Sequence, residues 1–133
     1  AVGHDVDRIG HIKALVARLA RGDRWDLVFN ITEGLYGIAR EAQVPALLEA
    51  YQIPCTLSDA ATLALVLDKA MTKRVLRDCG IPTAPFAVVS RPEDIKDVKL
   101  GFPLFAKPIA EGSSKGVSRD SKITDAGQLD KVC

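Results

Sequence analysis

"FPLFAKPIAEGSSKGVSRDSKI", residues 102–123, holds two apolar runs joined by a stretch of glycine and serine. The runs "FPLFAKPI" (102–109) and "GVSRDSKI" (116–123) predict two strands, and strands so close in sequence predict an antiparallel pair. Lys107 falls inside the first run. Side chains alternate across a strand, so Lys107 shares its face with Phe105 and Ile109. A lysine on such a face either extends its ammonium to water or meets an anion, because an unpaired buried charge is strongly unfavourable. Geometry alone leaves both readings open.

The joining stretch "EGSSKG" (111–116) adds weight to the anion. Gly112 and Gly116 permit backbone conformations that aim successive amides into one concavity, and Ser113 and Ser114 add hydroxyls; such nests bind phosphate. A plain hairpin loop is the alternative, since glycine and serine are common in loops. The spacing fits neither G-x-x-x-x-G-K-[ST] nor G-x-G-x-x-G, so neither a P-loop NTPase nor a dinucleotide fold follows.

Toward the N-terminus, "PFAVVS" (85–90) predicts a strand and "RPEDIKDV" (91–98) a short helix with Pro92 in its first turn. Further upstream, helix and buried strand alternate. Ile12, Leu15, Val16 and Leu19 mark one helical face that Gly22 ends. "DLVFNI" (26–31) has the continuous apolar form of a strand covered on both faces. Val44, Leu47, Leu48 and Tyr51 repeat the helical spacing, with Pro45 in the first turn or at a kink. "IPCTLS" (53–58) predicts a second short strand, and Ser58 is placed to cap a long helical segment. Its stripe of Leu63, Val66, Leu67 and Ala70 gives way to a shifted stripe of Met71, Val75 and Cys79. The shift near Asp68 predicts two helices or a bend, and Gly80 with Pro82 ends the pattern.

The expected fold is therefore α/β: an open, mainly parallel unit over residues 1–81, then residues 82–133 with antiparallel strands and a last helix that Thr124 caps. Lys69 follows Asp68 at the break, where a helix start offers free amides. Taken alone it is more often a solvated helix lysine, and Lys73, one turn later, is an equal candidate for the exposed member.

At 133 residues the chain is about one domain in length. With 47% apolar and 26% charged residues, it has the composition of a globular protein rather than a disordered one. The net charge of +1, with basic and acidic residues interleaved, argues against a nucleic-acid partner. No apolar run approaches the ~20 residues that span a bilayer, and no signal peptide is visible, so a cytoplasmic, non-membrane protein is expected. Cys55, Cys79 and Cys133 lack metal-ligand spacing and read as small core residues in a reducing compartment. The chain opens at Ala1 without Met and stops inside an apolar-periodic segment, which is expected of a piece of a longer protein.

"QIPCTLSDAATLALVLDKAMTKRVLRDCGIPTAPFAVV" (52–89), followed by "GFPLFAKPIAEGSSKGVS" (101–118), resembles the D-alanine–D-alanine ligase family of ATP-grasp enzymes. That family carries a "DK…TK" helix leading to "GIPTP", a strand, and then "FP-V-KP---GSS-GV". The resemblance begins at about Trp25. It implies a pre-ATP-grasp α/β domain over 1–81 and the start of an ATP-grasp nucleotide-binding domain over 82–133. The implied activity is ATP-dependent joining of a carboxylate to an amine through an acyl phosphate, as in peptidoglycan synthesis. ATP and Mg²⁺ would be the cofactors, an amino acid or similar small molecule the substrate, and a homodimer the suggested assembly. By position, Lys69 resembles the lysine that reaches the nucleotide phosphates, and Lys107 the "KP" lysine that contacts ATP. Gly112, Ser113 and Ser114 resemble the mobile loop over the triphosphate, with Ser113 also approaching the substrate.

Where the family has His-Gly, this chain has Glu33 and Gly34. An acid beside the substrate favours an ammonium and disfavours a carboxylate, which points away from D-alanine. Alternatively Glu33 caps a helix or pairs with Arg40. The resemblance places the family's first strand with its acid before Ala1. It places the adenine-hinge strand and the Mg²⁺ ligands after Cys133, so these residues alone are expected to be inactive. The rivals are an ATP-grasp ligase with another acid and amine, and a non-catalytic α/β binding module.

Overall fold

The computed structural model describes residues 3–133, which divide into two compact units between residues 64 and 65. The division falls inside a helix, upstream of the domain boundary expected at 80–83.

In the first unit, helix α1 (Ile12–Ala20) starts at His11, whose Nδ1 accepts the Lys13 amide at 3.1 Å. It ends where Gly22 takes φ +95°, as the sequence predicts. Helix α2 (Gln43–Ala50) carries Pro45 in its first turn, where a missing N–H leaves no bond unmade. The two helices converge on one cluster: Leu15 and Leu19 from α1, Val44 and Leu48 from α2, and Val28 and Ile53 from the extended segments. Leu48 is fully buried. Each such aliphatic side chain contributes about 1.5–3 kcal/mol of transfer free energy. Beside the cluster, Asp7 Oδ2 accepts from Arg18 at 2.6 Å and from Trp25 Nε1 at 3.0 Å. Those two hydrogen bonds, Arg18's first, lower the Asp7 carboxyl to about 2.

The parallel sheet expected here is reduced to one rung, the parallel bridge Val28–Cys55. The Val28 amide donates to the Pro54 carbonyl at 2.8 Å, and the Thr56 amide to the Val28 carbonyl at 3.0 Å. The next amide, that of Asn30, goes instead to the Thr56 side-chain hydroxyl at 3.0 Å. A side chain thus takes the place of the next ladder acceptor, and the pairing stops. Nor is segment 26–31 covered on both faces. Val28 and Asn30 are buried, while Leu27, Phe29 and Ile31 on the other face are 58%, 74% and 74% exposed. An unbroken apolar run records that a strand can be covered, not that it is.

Helix α3 (Ala60–Leu67) is capped by Asp59 rather than Ser58: its carboxylate accepts the Thr62 amide at 2.9 Å. The break at Asp68 is real. That residue leaves the helical region at ψ 104°, and its side chain accepts the Ala70 and Met71 amides to start helix α4 (Lys69–Asp78). α4 closes with the Gly80 amide on the Arg77 carbonyl and the Ile81 amide on the Leu76 carbonyl. This is the paired C-terminal motif that a left-handed glycine permits, and Gly80 has φ +70°.

In the second unit the antiparallel pair is present but short: β1 (Leu104–Phe105) against β2 (Lys122–Ile123), with Leu104 opposite Ile123. The expected strand over 116–123 loses its first part to serine capping. Ser118 Oγ accepts the Asp120 amide, Ser121 Oγ accepts the Ser118 amide, and Arg119–Ser121 winds into a 3-10 turn. The short helix after residue 91 is a 3-10 helix, Pro92–Asp97, with its proline in the first turn. Residues 85–90 run without a ladder partner among the described residues. Helix α5 (Ala126–Val132) is capped by Asp125, which accepts the Gln128 amide, and not by Thr124. Ile123 and Leu129 are buried where α5 meets β2. Cys79 and Cys133 are exposed and Cys55 half-buried, so only Cys55 has any part of the core role expected of all three. Burial, and then the charge of Glu49, push its thiol up.

Candidate functional site

The break at Asp68 makes Lys69 the first residue of α4, and there it meets the Gly/Ser stretch. Its backbone amide donates to the Ile109 carbonyl at 2.9 Å, and its ammonium donates to the Glu111 carbonyl. Lys69 is half-buried. It is therefore not the solvated helix lysine that its position alone favours. The start of α4 does not offer the free amides expected of it. Ile109 takes the amide of Lys69, and Asp68 takes those of Ala70 and Met71, each at 2.9 Å.

Beyond Glu111 the backbone turns sharply. Ser113 and Ser114 have φ +48° and +62°, and Gly116 has φ +71°. Such values are uncommon for serine and mark a loop whose geometry its surroundings impose. Turn hydrogen bonds run from the Lys115 amide to the Gly112 carbonyl (3.0 Å) and from the Val117 amide to the Ser114 carbonyl (3.1 Å). Gly116 lies so close to Pro108 that a Cβ would stand 2.5 Å from its ring Cγ. The loop thus returns onto the segment that leads into it, and only glycine fits the point of contact.

Lys107 lies past the end of β1, exposed, with its ammonium 5.8 Å from the centre of the Phe105 ring. Phe105 and Ile109, which share its face, are 56% and 42% exposed. Within these residues the lysine is accommodated because the side chain is exposed, with its ammonium beside an aromatic ring.

No family model matches the chain. Over 122 residues it is 38% identical to the D-alanine–D-alanine ligase of Xylella fastidiosa, an alignment covering 88% of this chain and 40% of that protein. To the D-alanine–D-alanine ligase of Xanthomonas axonopodis pv. citri it is 35% identical over 137 residues, covering 99% of this chain and 42% of the relative. By sequence, the chain is a relative of the D-alanine–D-alanine ligases. The D-alanine–D-alanine ligase of Sodalis glossinidius is 42% identical over 106 residues, 75% of this chain and 28% of that protein. The chain spans about 40% of the length of the first two ligases it matches.

Of the residues singled out by the ligase resemblance, Lys69 and the loop carrying Gly112, Ser113 and Ser114 are joined directly through Glu111. Lys107 is four residues before Glu111 on the same run. Glu33 belongs to the first compact unit and is half-buried. The next residue, Gly34, has φ +69°, and a Cβ there would stand 2.5 Å from the Arg40 carbonyl oxygen. The backbone beside Glu33 is thus pressed against that of Arg40, the residue named as its alternative partner.

Sequence reasoning missed two things. The partners of Lys69 are backbone carbonyls, which every residue has and no motif records. Lys73, an equal candidate for an exposed lysine, is half-buried and donates to Thr83 Oγ1 (2.8 Å) and the Ala84 carbonyl (2.9 Å). Its ammonium also lies 5.6 Å from the Phe86 ring centre, so it ties the segment after Gly80 back onto α4. The "TK" and "GIPT" letters were the signal, had their separation been read as a contact.

Proposed function

We propose that these residues are the pre-ATP-grasp α/β domain and the opening of the nucleotide-binding domain of an ATP-dependent carboxylate–amine ligase, with the domain boundary at the Gly80 stop. Similarity to ligases over most of the chain supports the class. The observation that carries the site is the half-buried ammonium of Lys69 held against a loop with left-handed backbone at Ser113, Ser114 and Gly116.

In this chemistry the γ-phosphoryl of ATP is transferred to a substrate carboxylate oxygen as ADP leaves. An amine then attacks the acyl carbon, phosphate departs, and the amine loses a proton. Anionic oxygens are present throughout, and a polyphosphate matches the cations here. Lys69 keeps two N–H donors beyond the one on Glu111, since an ammonium carries three. Partial burial reduces the water that competes for them. Lys107 supplies a second positive charge, and the loop bearing Gly112, Ser113 and Ser114 supplies amides and hydroxyls, with Ser113 at the position that, by the resemblance, also approaches the substrate. The amides that open α4 are already engaged, so phosphate is held by side-chain ammonium and loop rather than by the helix end. Catalysis of this kind works by positioning and charge neutralisation. Among the described residues no group of three His, Cys, Asp or Glu is placed to hold a metal. Among the same residues no helix is long and apolar enough to cross a membrane.

The test is phosphate release by the protein that contains this chain, with ATP and a panel of amino acids that includes D-alanine. Release that needs both ATP and an amino acid is expected, and Lys107→Ala should weaken ATP binding roughly tenfold. ATP binding without turnover on any acid and amine would favour a binding module instead. Glu33 favours a second reading in which the joined pair is not two D-alanines. On that reading D-alanine is used poorly and Glu33→His improves it, whereas efficient D-alanyl-D-alanine synthesis unmoved by Glu33→Gln overturns it.

A further inference from the structure

We infer that Lys69 is a positioning residue for the Gly/Ser loop, holding its stem in place before any nucleotide arrives. Two hydrogen bonds leave this one residue for the loop's approach, from the backbone amide to Ile109 and from the ammonium to Glu111, the latter across 42 residues of sequence. The far end of the loop is seated independently, where Gly116 meets Pro108. Between these fixed points lie residues 112–115, with the turn bonds of Lys115 on Gly112 and Val117 on Ser114. The span between them is therefore short, and the Lys69 ammonium is one of the groups that hold its stem end.

That side chain is the group through which a phosphate would act. Resting on the ligase reading, an oxyanion drawn to the two remaining N–H donors of Lys69 pulls on an ammonium already bonded to the loop stem. Anion binding and loop placement then share one group, and occupancy of one is felt by the other. A lysine that merely met phosphate would have no need of a carbonyl on the loop.

Amide hydrogen exchange of the protein without nucleotide separates the tether from the ligase reading. In Lys69→Met the Lys115 and Val117 amides should exchange about tenfold faster, the scale of losing a hydrogen bond to a charged donor. The Ala106 amide, bonded to the Ser121 carbonyl at 2.8 Å, and the amides of α4 should not change. Lys69→Arg, which restores a charged donor, should return the loop amides toward wild-type rates. Lys69→Gln, a shorter neutral side chain, should behave as Lys69→Met and serves if that variant does not fold. Unchanged exchange at Lys115 and Val117 overturns the inference, as does an equal acceleration at Ala106 and throughout α4. ATP affinity of the same variants is read separately. Weaker ATP binding with an unchanged loop overturns the tether and leaves the ligase reading intact. A faster loop with unchanged ATP binding supports the tether and removes Lys69 from the phosphate site.

Discussion

Around Leu48 the chain is held by apolar surface: six buried side chains from two helices and two extended segments close on one another. In residues 109–117 it is held by hydrogen bonds to carbonyls and by a glycine against a proline ring, with most side chains of residues 112–116 exposed. A surface turn of the first unit and the loop each contain a glycine whose Cβ would stand 2.5 Å from a neighbour, but the neighbours differ. Gly34 faces the Arg40 backbone, which cannot yield without moving the chain. Gly116 faces the Pro108 ring, a side chain closed onto its own backbone. Apolar packing rewards rigidity and spreads its energy over many contacts. A segment held by few contacts, each of them breakable, belongs to the low-stability end of the molecule.

The largest effect should come from the packed region. Leu48→Ala removes a fully buried side chain and should cost about 3 kcal/mol, read as a lower urea midpoint at unchanged slope. A loss below about 1 kcal/mol would mean that the cluster collapses around the gap and that the contrast is overdrawn. Gly34→Ala comes next, at about 2 kcal/mol, because φ +69° and a backbone clash act together. A neutral result would show that the turn at Glu33 is as pliable as the loop. Gly116→Ala should cost about 1 kcal/mol. That loss should appear as faster exchange at Lys115 and Val117 while the urea midpoint of the Leu48 cluster stays put; a shifted midpoint would join two regions described here as distinct.

The smallest effect concerns pH. Asp7 titrates at about 2 in the folded chain, below the usual carboxylate value of about 4, so its pairing stabilises the fold above pH ~4. That contribution should fade as pH drops from about 4 toward 2, and Asp7→Asn should remove this part of the acid sensitivity. Being a partly exposed pair, it should also weaken with added salt. Equal acid sensitivity in wild type and Asp7→Asn would assign the loss to other carboxylates.

Local rules reached some features well. The break at Asp68 was legible because the apolar stripe changes phase there and an aspartate is a strong helix cap, and the stop at Gly80 because only a left-handed residue completes the C-terminal motif. The order of helices and the antiparallel pairing of 104–105 with 122–123 followed from periodicity and short spacing. Strand extent did not, because a hydroxyl at Thr56 or Ser118 competes for a ladder amide only once the backbones have met. Nor could an apolar run disclose that Phe29 and Ile31 face outward, since hydrophobicity records the capacity to be covered and not the presence of a cover. The chemistry of the site divides in the same way. Residue types and their spacing left Lys107 and the Gly/Ser loop open between anion and solvent and favoured solvent for Lys69; phosphate entered only through the family resemblance. Tertiary structure alone set the Lys69 ammonium on the Glu111 carbonyl, because a contact across 42 residues forms through chain folding and a carbonyl has no residue signature.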